Sequence, residues 1–215
     1  MKYPILYTFR RCPYAIRARM ALSYCKIKVE LREISLKNRP KQLYDASNKG
    51  TVPVLITKNN KVIAESLDII LWALQNNTKQ TWFNVQNSNE DLQMIKVNDT
   101  IFKKSLDKYK YHNRYPEKNK EIYRIECCKT LNVYEKKLAE NKYLNDDEIK
   151  IIDIAIFPFV RQFANVDYPW FKSEFNNLTV WLEKISNSKL FNSVMKKYEL
   201  WNPSIFLQVD LSVEI

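Results

Sequence analysis

The N-terminal third of the chain changes its hydrophobic period several times. Residues 4–9 form a short apolar and aromatic run, which is typical of a buried strand. From Pro13 the apolar positions recur every three to four residues, which predicts a helix. Residues 28–34 alternate between apolar and polar side chains and predict a second strand, and Pro40 then opens a short second helix.

A predicted hairpin and a third helix complete this region. Residues 50–57 predict a strand that is interrupted by Pro53, and residues 61–64 predict its return strand after an Asn-Asn turn. The apolar positions that follow Ser66 recur with helical spacing. The order β-α-β-α-β-β-α places helices on a small mixed sheet, so we expect an α/β domain over residues 1–76.

The rest of the chain is helical in pattern. Residues 77–88 are polar with little apolar periodicity, and they predict a linker. Farther on, apolar residues repeat with helical spacing, and residues 151–163 are apolar almost all round, which predicts a buried helix. The predicted fold class is therefore α/β plus all-α, with an all-helical domain over residues 89–200 and a C-terminal tail over residues 201–215.

The charge balance changes this picture little. The chain has 35 Lys and Arg against 24 Asp and Glu, which gives a net charge of +11. Such a chain can bind nucleic acid or a membrane surface, but a binding footprint gathers its basic residues on one face. Here they are scattered along the sequence, so we expect neither partner. The longest apolar stretch, Ile151–Val160, contains Asp153 and Pro158, so no transmembrane helix is predicted.

The counts of reactive residues exclude several kinds of site. His112 is the single histidine and lies in a polar stretch, so a Ser-His-Asp triad is not expected. The single glycine, Gly50, excludes a Gly-rich phosphate loop, and no ligand cluster predicts a metal site. The cysteines have no C-x-x-C spacing and no secretory leader before them, which favours reduced thiols and a cytoplasmic location. They are Cys12, Cys25, Cys127 and Cys128.

Cys12 lies where the first strand gives way to the first helix, directly before Pro13. Proline favours the first helical turn, so Cys12 is expected at or beside the N-cap. Unpaired backbone N–H groups and the helix dipole stabilise a thiolate there, and Arg10 and Arg11 add positive charge. Cysteines in such positions have pKa values of about 3.5–7.5 instead of about 8.5. We therefore predict a reactive thiol at Cys12, with an inert buried cysteine as the alternative.

A proline lies at the head of the third strand, where it removes a hydrogen-bond donor from the sheet. Its presence fits a cis peptide bond between Val52 and Pro53, which would leave the Val52 backbone available to an extended peptide ligand. Glu65 and Ser66 begin the next helix and supply a hydroxyl and unpaired N–H groups for a carboxylate. A plain N-cap role is the alternative for Ser66, and it is compatible with binding a carboxylate as well.

Taken in order, these segments resemble the thioredoxin-fold domain of the glutathione transferases, and most closely the cysteine-type classes, omega and some bacterial relatives. Residues 151–159 are similar to the buried sixth helix of the superfamily's all-helical domain, and the likeness extends to about Leu200. The segments of the first domain that carry the resemblance are Arg11-Cys12-Pro13-Tyr14-Ala15, Leu36-Lys37-Asn38-Arg39-Pro40, Val52-Pro53-Val54-Leu55 and Glu65-Ser66.

The resemblance implies a role for each matching position around one glutathione molecule. Cys12 would form a mixed disulfide with glutathione, and Tyr14 would line the site. Val52, before the expected cis-Pro53, would pair with the cysteinyl backbone of the tripeptide. Arg39, or Lys37 beside it, would bind the glycyl carboxylate, although Arg39 as a solvated loop charge is the alternative. Glu65 and Ser66 would hold the γ-glutamyl end.

The chemistry expected from these residues is thiol–disulfide exchange. Ala15 occupies the place of the second cysteine of a C-x-x-C motif, so an outside thiol, glutathione, must resolve the mixed disulfide. This predicts a glutathione-dependent thiol transferase that uses glutathione as co-substrate and acts on a protein thiol or a dehydroascorbate-like acceptor. Conventional conjugation to electrophiles and a non-enzymatic scaffold or transcription-associated protein are the alternatives. The resemblance also implies a homodimer.

Overall fold

The computed structural model describes residues 1–77, 79–83, 88–204 and 206–209. The chain divides into two compact units. The first comprises Met1–Gln80 together with Asn187–Ile215, and the second comprises Thr81–Ser186. The linker predicted over residues 77–88 lies partly outside the described residues. No helix within the described ranges has the length and apolar character needed to cross a bilayer.

The first unit is built on a mixed sheet, as the sequence predicts. Parallel pairing joins β1 to β2, while β3 pairs antiparallel with β1 and β4 pairs antiparallel with β3. Leu6 lies opposite Leu31 on one side and Leu55 on the other, and all three are buried in the core of the unit. The four strands predicted from the sequence are β1 Ile5–Thr8, β2 Val29–Glu33, β3 Val54–Ile56 and β4 Val62–Ile63.

Two helices connect these strands, a third follows β4, and a fourth comes from the C-terminal part of the chain. They are α1 Pro13–Tyr24, α2 Lys41–Ala46, α3 Ser66–Gln75 and α10 Lys189–Val194. Helix α1 packs against both α3 and α10, and this position buries most of its residues. Arg17 and Arg19 are among them, at 2% exposure each, so two guanidinium groups lie inside the unit.

The sheet has a fifth strand that the helical and polar patterns of the sequence do not predict. Strand β5, Gln208–Val209, pairs antiparallel with β2 and gives the strand order β4-β3-β1-β2-β5. Upstream of it, the Trp201 N–H donates to the Glu33 carbonyl oxygen at 2.7 Å. The Trp201 ring lies edge-on to Tyr7, with 5.9 Å between ring centroids. Residues of the predicted tail therefore belong to the first unit.

The second unit is all-helical, as predicted. Helix α4, a π-helical turn and α5 follow one another directly, and α6 then spans 21 residues. Its elements are α4 Ser88–Val97, the π-helical turn Asn98–Phe102, α5 Lys103–Lys110, a 3₁₀ turn His112–Arg114, α6 Lys120–Glu140, α7 Ile151–Ala164, α8 Tyr168–Glu174 and α9 Asn176–Ser186. The core is aromatic, and buried rings such as Phe157 and Trp181 contact each other edge-on.

A buried carboxylate fixes the beginning of α7. Asp153 is fully buried, and one of its oxygens accepts the Lys150 N–H at 2.9 Å. The other oxygen accepts the Leu144 N–H at 3.0 Å and the indole N–H of Trp181 at 2.8 Å. Burial raises the pKa of Asp153 to about 6, although these donors act in the opposite direction. This carboxylate thus holds three separate segments of the unit together.

Candidate active site

Cys12 is the N-cap residue of α1, with extended backbone angles of φ −72° and ψ 123°. Its carbonyl oxygen accepts the Ile16 N–H at 2.9 Å, and its own N–H donates to the Phe9 carbonyl oxygen at 3.0 Å. The side chain is half-buried, and its Sγ lies 3.6 Å from the Val52 carbonyl oxygen. The prediction that Cys12 lies at the helix start is confirmed. In this position the first-turn N–H groups and the helix dipole favour a negative charge on the sulfur.

The other three thiols have environments that favour the protonated form. Burial raises the pKa of Cys25 to about 11 and that of Cys128 to about 11, and it raises the pKa of Cys127 as well. All four cysteines lie within the described residues, and none is in a disulfide. The contrast agrees with the inert roles expected for the three cysteines outside the helix start.

The peptide bond between Val52 and Pro53 is cis, as the sequence predicts. Val52 is 7% exposed and belongs to an apolar cluster of the first unit. Cys12 and Phe9 pack against the same cluster. One apolar cluster therefore includes Val52 and supports Cys12. The other buried members of the cluster are Ile5, Tyr7, Ile34, Leu43 and Val54.

The start of α3 contains the next two predicted residues. Glu65 is the N-cap and Ser66 is the first helical residue, so the N-cap alternative for Ser66 is wrong. The Glu65 carboxylate is exposed and forms an ion pair with Lys49. Ser66 is 3% exposed, and its Oγ accepts hydrogen bonds from Arg17 Nε at 3.0 Å and Arg17 Nη2 at 2.8 Å. Arg17 thereby joins the site, although the sequence gives no signal for it.

Tyr14 and Arg39 have different surroundings. Tyr14 is in the first turn of α1, and the guanidinium carbon of Arg17 lies 5.1 Å from the centroid of its ring. Arg39 is exposed, and its Nη1 lies 3.5 Å from the Tyr44 hydroxyl. Tyr44 in turn packs against Gly50, where an added Cβ would lie 2.4 Å from a ring carbon. Tyr14 is therefore linked through Arg17 to Ser66. Arg39 is linked through Tyr44 to Gly50, in the segment before Val52.

A buried arginine holds the loop that leads to Cys12. Arg19 Nη1 donates to Thr8 Oγ1 at 2.5 Å and to the Phe9 carbonyl oxygen at 3.4 Å, while Nη2 donates to the Arg10 carbonyl oxygen at 2.7 Å. Its Nε donates to the Val194 carbonyl oxygen at 3.1 Å. Burial lowers the pKa of Arg19 to about 10, so the group is still cationic at neutral pH. The loop is thus fixed by a positive charge.

A buried carboxylate holds the same loop from the side of β2. Glu33 is 8% exposed, and its Oε1 accepts the Arg10 N–H at 2.7 Å. Burial raises the pKa of this carboxyl, while the Arg10 hydrogen bond and the charge of Arg19 act in the opposite direction. The backbone carbonyl oxygen of Glu33 accepts the Trp201 N–H, so the C-terminal segment is attached to Glu33 as well.

Comparison with known proteins gives the family to which a chain with this fold and this site belongs. Residues 6–81 match the family described as "Glutathione S-transferase, N-terminal domain". Residues 94–189 match the family described as "Glutathione S-transferase, C-terminal domain". The chain belongs to the glutathione S-transferase family.

Individual relatives differ in how much of the chain they cover. "Glutathione S-transferase L3" of Arabidopsis thaliana is 28% identical over 200 residues, 85% of this chain and 78% of the relative. "Glutathione S-transferase omega-2" of Homo sapiens is 37% identical over 62 residues, which span 29% of this chain and only 26% of the relative. Among solved structures, glutathione transferase URE2P6 from Phanerochaete chrysosporium, in complex with oxidized glutathione, has a TM-score of 0.78 at 19% identity. That match covers 89% of this chain and 94% of the other, and it shows the shared fold.

Proposed function

We propose that this protein is a glutathione-dependent thiol transferase in which Cys12 is the nucleophile. One observation carries the proposal: Cys12 is the N-cap residue of α1, and its thiol donates to the carbonyl oxygen of Val52 at 3.6 Å, next to cis-Pro53. A helix start favours the thiolate, which is the nucleophilic form of cysteine. The partial identity to omega and L-class glutathione S-transferases supports the same chemistry.

The proposed reaction has two exchange steps. The Cys12 thiolate attacks the glutathionyl sulfur of a mixed disulfide, so that a bond from Sγ to glutathione forms and the bond to the acceptor breaks. The acceptor leaves as a thiolate and takes a proton from solvent. A second glutathione thiolate then attacks the glutathione on Cys12, which yields oxidised glutathione and regenerates the Cys12 thiolate. Ala15 leaves no second cysteine in the motif, so the external thiol performs this last step.

In this proposal glutathione lies extended between the starts of α1 and α3. The Val52 backbone pairs with the cysteinyl part, next to cis-Pro53, and Tyr14 lines the site. The γ-glutamyl end is bound by Ser66 and by Glu65, whose exposed carboxylate suits the ligand's ammonium group. Arg39, or Lys37 beside it, binds the glycyl carboxylate. The Arg39 side chain is exposed and its 3.5 Å hydrogen bond to Tyr44 is long, so it can turn toward a ligand.

Mass spectrometry of the intact protein tests the proposed intermediate. After incubation with oxidised glutathione, the natural protein should gain the mass of one glutathionyl group. Cys12→Ser should gain none, and the matched control Cys25→Ser should gain one, because burial keeps the Cys25 thiol protonated. A glutathionyl adduct on Cys12→Ser would contradict the proposal.

Two further assays separate the alternatives. A conventional transferase would conjugate glutathione to an aromatic electrophile, and Cys12→Ser would keep that activity. A non-enzymatic scaffold would pass through glutathione-agarose without being retained. We expect retention on that matrix, weak conjugation, and release of glutathione from a glutathionylated peptide that depends on Cys12. The homodimer and the cytoplasmic location belong to the same proposal, and sedimentation of the purified chain tests the dimer.

A further inference from the structure

Ser66 presents an unusual hydrogen-bond arrangement for a buried serine. Its Oγ accepts two hydrogen bonds, both from the guanidinium of Arg17, at 3.0 Å and 2.8 Å. A serine hydroxyl has two acceptor lone pairs and one hydrogen to donate. Both lone pairs of Ser66 are therefore filled by one cationic side chain. The hydroxyl hydrogen has no acceptor among the residues that the structure describes, although Ser66 is only 3% exposed.

This arrangement converts Ser66 from a general polar group into an obligate donor. A ligand atom that donates a hydrogen bond would find no lone pair left on Oγ, whereas a ligand oxygen can accept the hydroxyl hydrogen. The positive charge of Arg17 also polarises the hydroxyl, and hydrogen bonds linked in series strengthen one another. The group that Ser66 binds best is thus an anionic oxygen.

The surrounding residues hold Arg17 in this role. Arg17 is 2% exposed, and its guanidinium carbon lies 5.1 Å from the centroid of the Tyr14 ring. A cation over an aromatic face is attracted to it, and the attraction grows when water is excluded. Ser66 is also the first residue of α3, whose opening N–H groups add further donors for an anion.

We propose that Arg17 is a positioning residue that locks Ser66 as a hydrogen-bond donor to the γ-glutamyl α-carboxylate of glutathione. This inference rests on the proposed function, because it assumes that the ligand is glutathione. In this proposal Arg17 does not contact glutathione. It determines which end of glutathione Ser66 binds, because it leaves Ser66 only a hydrogen to donate. Tyr14 contributes through Arg17, by covering the guanidinium.

The test is a binding measurement in the Cys12→Ser background, so that no covalent adduct forms. Calorimetry compares glutathione with an analogue in which hydrogen replaces the γ-glutamyl α-carboxylate. With Arg17 intact, glutathione should bind at least about tenfold more tightly than the analogue, since a charge-assisted hydrogen bond is lost. In Arg17→Lys this ratio should fall severalfold while binding of the analogue stays unchanged, because lysine lacks the planar fork that fills both lone pairs.

Two more variants keep the test decisive if Arg17→Lys folds poorly, which urea unfolding reports. Ser66→Ala should lose the same discrimination. The double variant Arg17→Lys/Ser66→Ala should lose no more than Ser66→Ala alone, because Arg17 acts through Ser66. An unchanged ratio in Arg17→Lys or in Ser66→Ala, or additive losses in the double variant, would overturn the inference. Absence of glutathione binding with Arg17 and Ser66 both intact would instead overturn the proposed function.

Discussion

Both units of the molecule bury charged side chains, but the partners of those charges differ. In the second unit Asp153 accepts three N–H groups, two from backbone segments and one from an indole, and all three are parts of the scaffold. In the first unit the buried guanidinium groups of Arg17 and Arg19 donate to Ser66 and to the loop before Cys12. Ser66 is one of the predicted glutathione contacts, and Cys12 is the predicted nucleophile.

The partners of a buried ion indicate whether it has a functional role. Removing either kind of charge leaves unpaired polar groups inside the protein, which is costly in both units. Burial alone therefore does not mark a functional residue. What separates the two cases is where the hydrogen-bond partners lie, because a charge that holds a ligand-binding group changes activity as well as stability.

The largest effect is expected from removing the thiol that the first unit holds. Cys12→Ser should lower thiol-transferase turnover by a thousandfold or more, roughly as removal of a catalytic nucleophile does elsewhere. Its free energy of unfolding should change by less than about 0.5 kcal/mol, because the side chain is half-buried and the change is small. Turnover with a glutathionylated peptide and urea unfolding measure the two quantities. Full turnover in this variant would mean that Cys12 is not the nucleophile.

Removing the buried charge of the second unit should lower the free energy of unfolding and leave turnover nearly unchanged. Asp153→Ala leaves the N–H groups of Leu144, Lys150 and Trp181 without their acceptor, so we expect a loss of about 3–5 kcal/mol in unfolding free energy. Turnover per folded molecule should stay within about twofold of the natural protein. Urea titration together with turnover at low temperature checks both. A large loss of turnover in fully folded protein would show that Asp153 is more than structural.

Stability is expected to depend on pH through Asp153. Its folded-state pKa is about 6 against an ordinary value of 3.8, so the folded state keeps the proton over a range in which the unfolded chain has lost it. This contribution is therefore complete below about pH 4 and is lost as the pH rises through 6, by roughly 3 kcal/mol at most. Asp153→Asn cannot titrate, so its stability deficit relative to the natural protein should shrink from pH 4 to pH 7 in urea unfolding. A deficit that grows with pH would contradict this sign.

The smallest effect concerns the loop before Cys12. Arg19→Lys keeps the positive charge but cannot reach all four oxygens that the guanidinium contacts. We expect the rate of Cys12 alkylation by iodoacetamide at pH 7 to fall by about tenfold, because a displaced N-cap stabilises the thiolate less. The natural protein is the reference, and urea unfolding shows whether the variant is folded. An unchanged alkylation rate in Arg19→Lys would mean that Arg19 does not position the thiol.

Local pattern was enough to predict the framework of the site. The apolar run before Arg10 and the helical period after Pro13 place Cys12 at a strand–helix junction, and the structure has it as the N-cap. Pro53 within a strand predicts the cis bond that is observed. Each of these features depends on residues that are neighbours in the chain, where steric and hydrogen-bond preferences act directly.

The order of elements, the two-part fold class and the position of the thiol follow from local patterns along the chain. The hydrogen bonds from Arg17 to Ser66, 49 residues away, and from Arg19 to Val194, 175 residues away, follow only from the packing of distant segments. The same is true of Gln208–Val209, which extends the sheet at β2. In any local pattern, an arginine on a helix and a two-residue segment are compatible with an exposed position. Their partners are fixed only when distant segments are packed together, because long-range burial removes water as the competing hydrogen-bond partner.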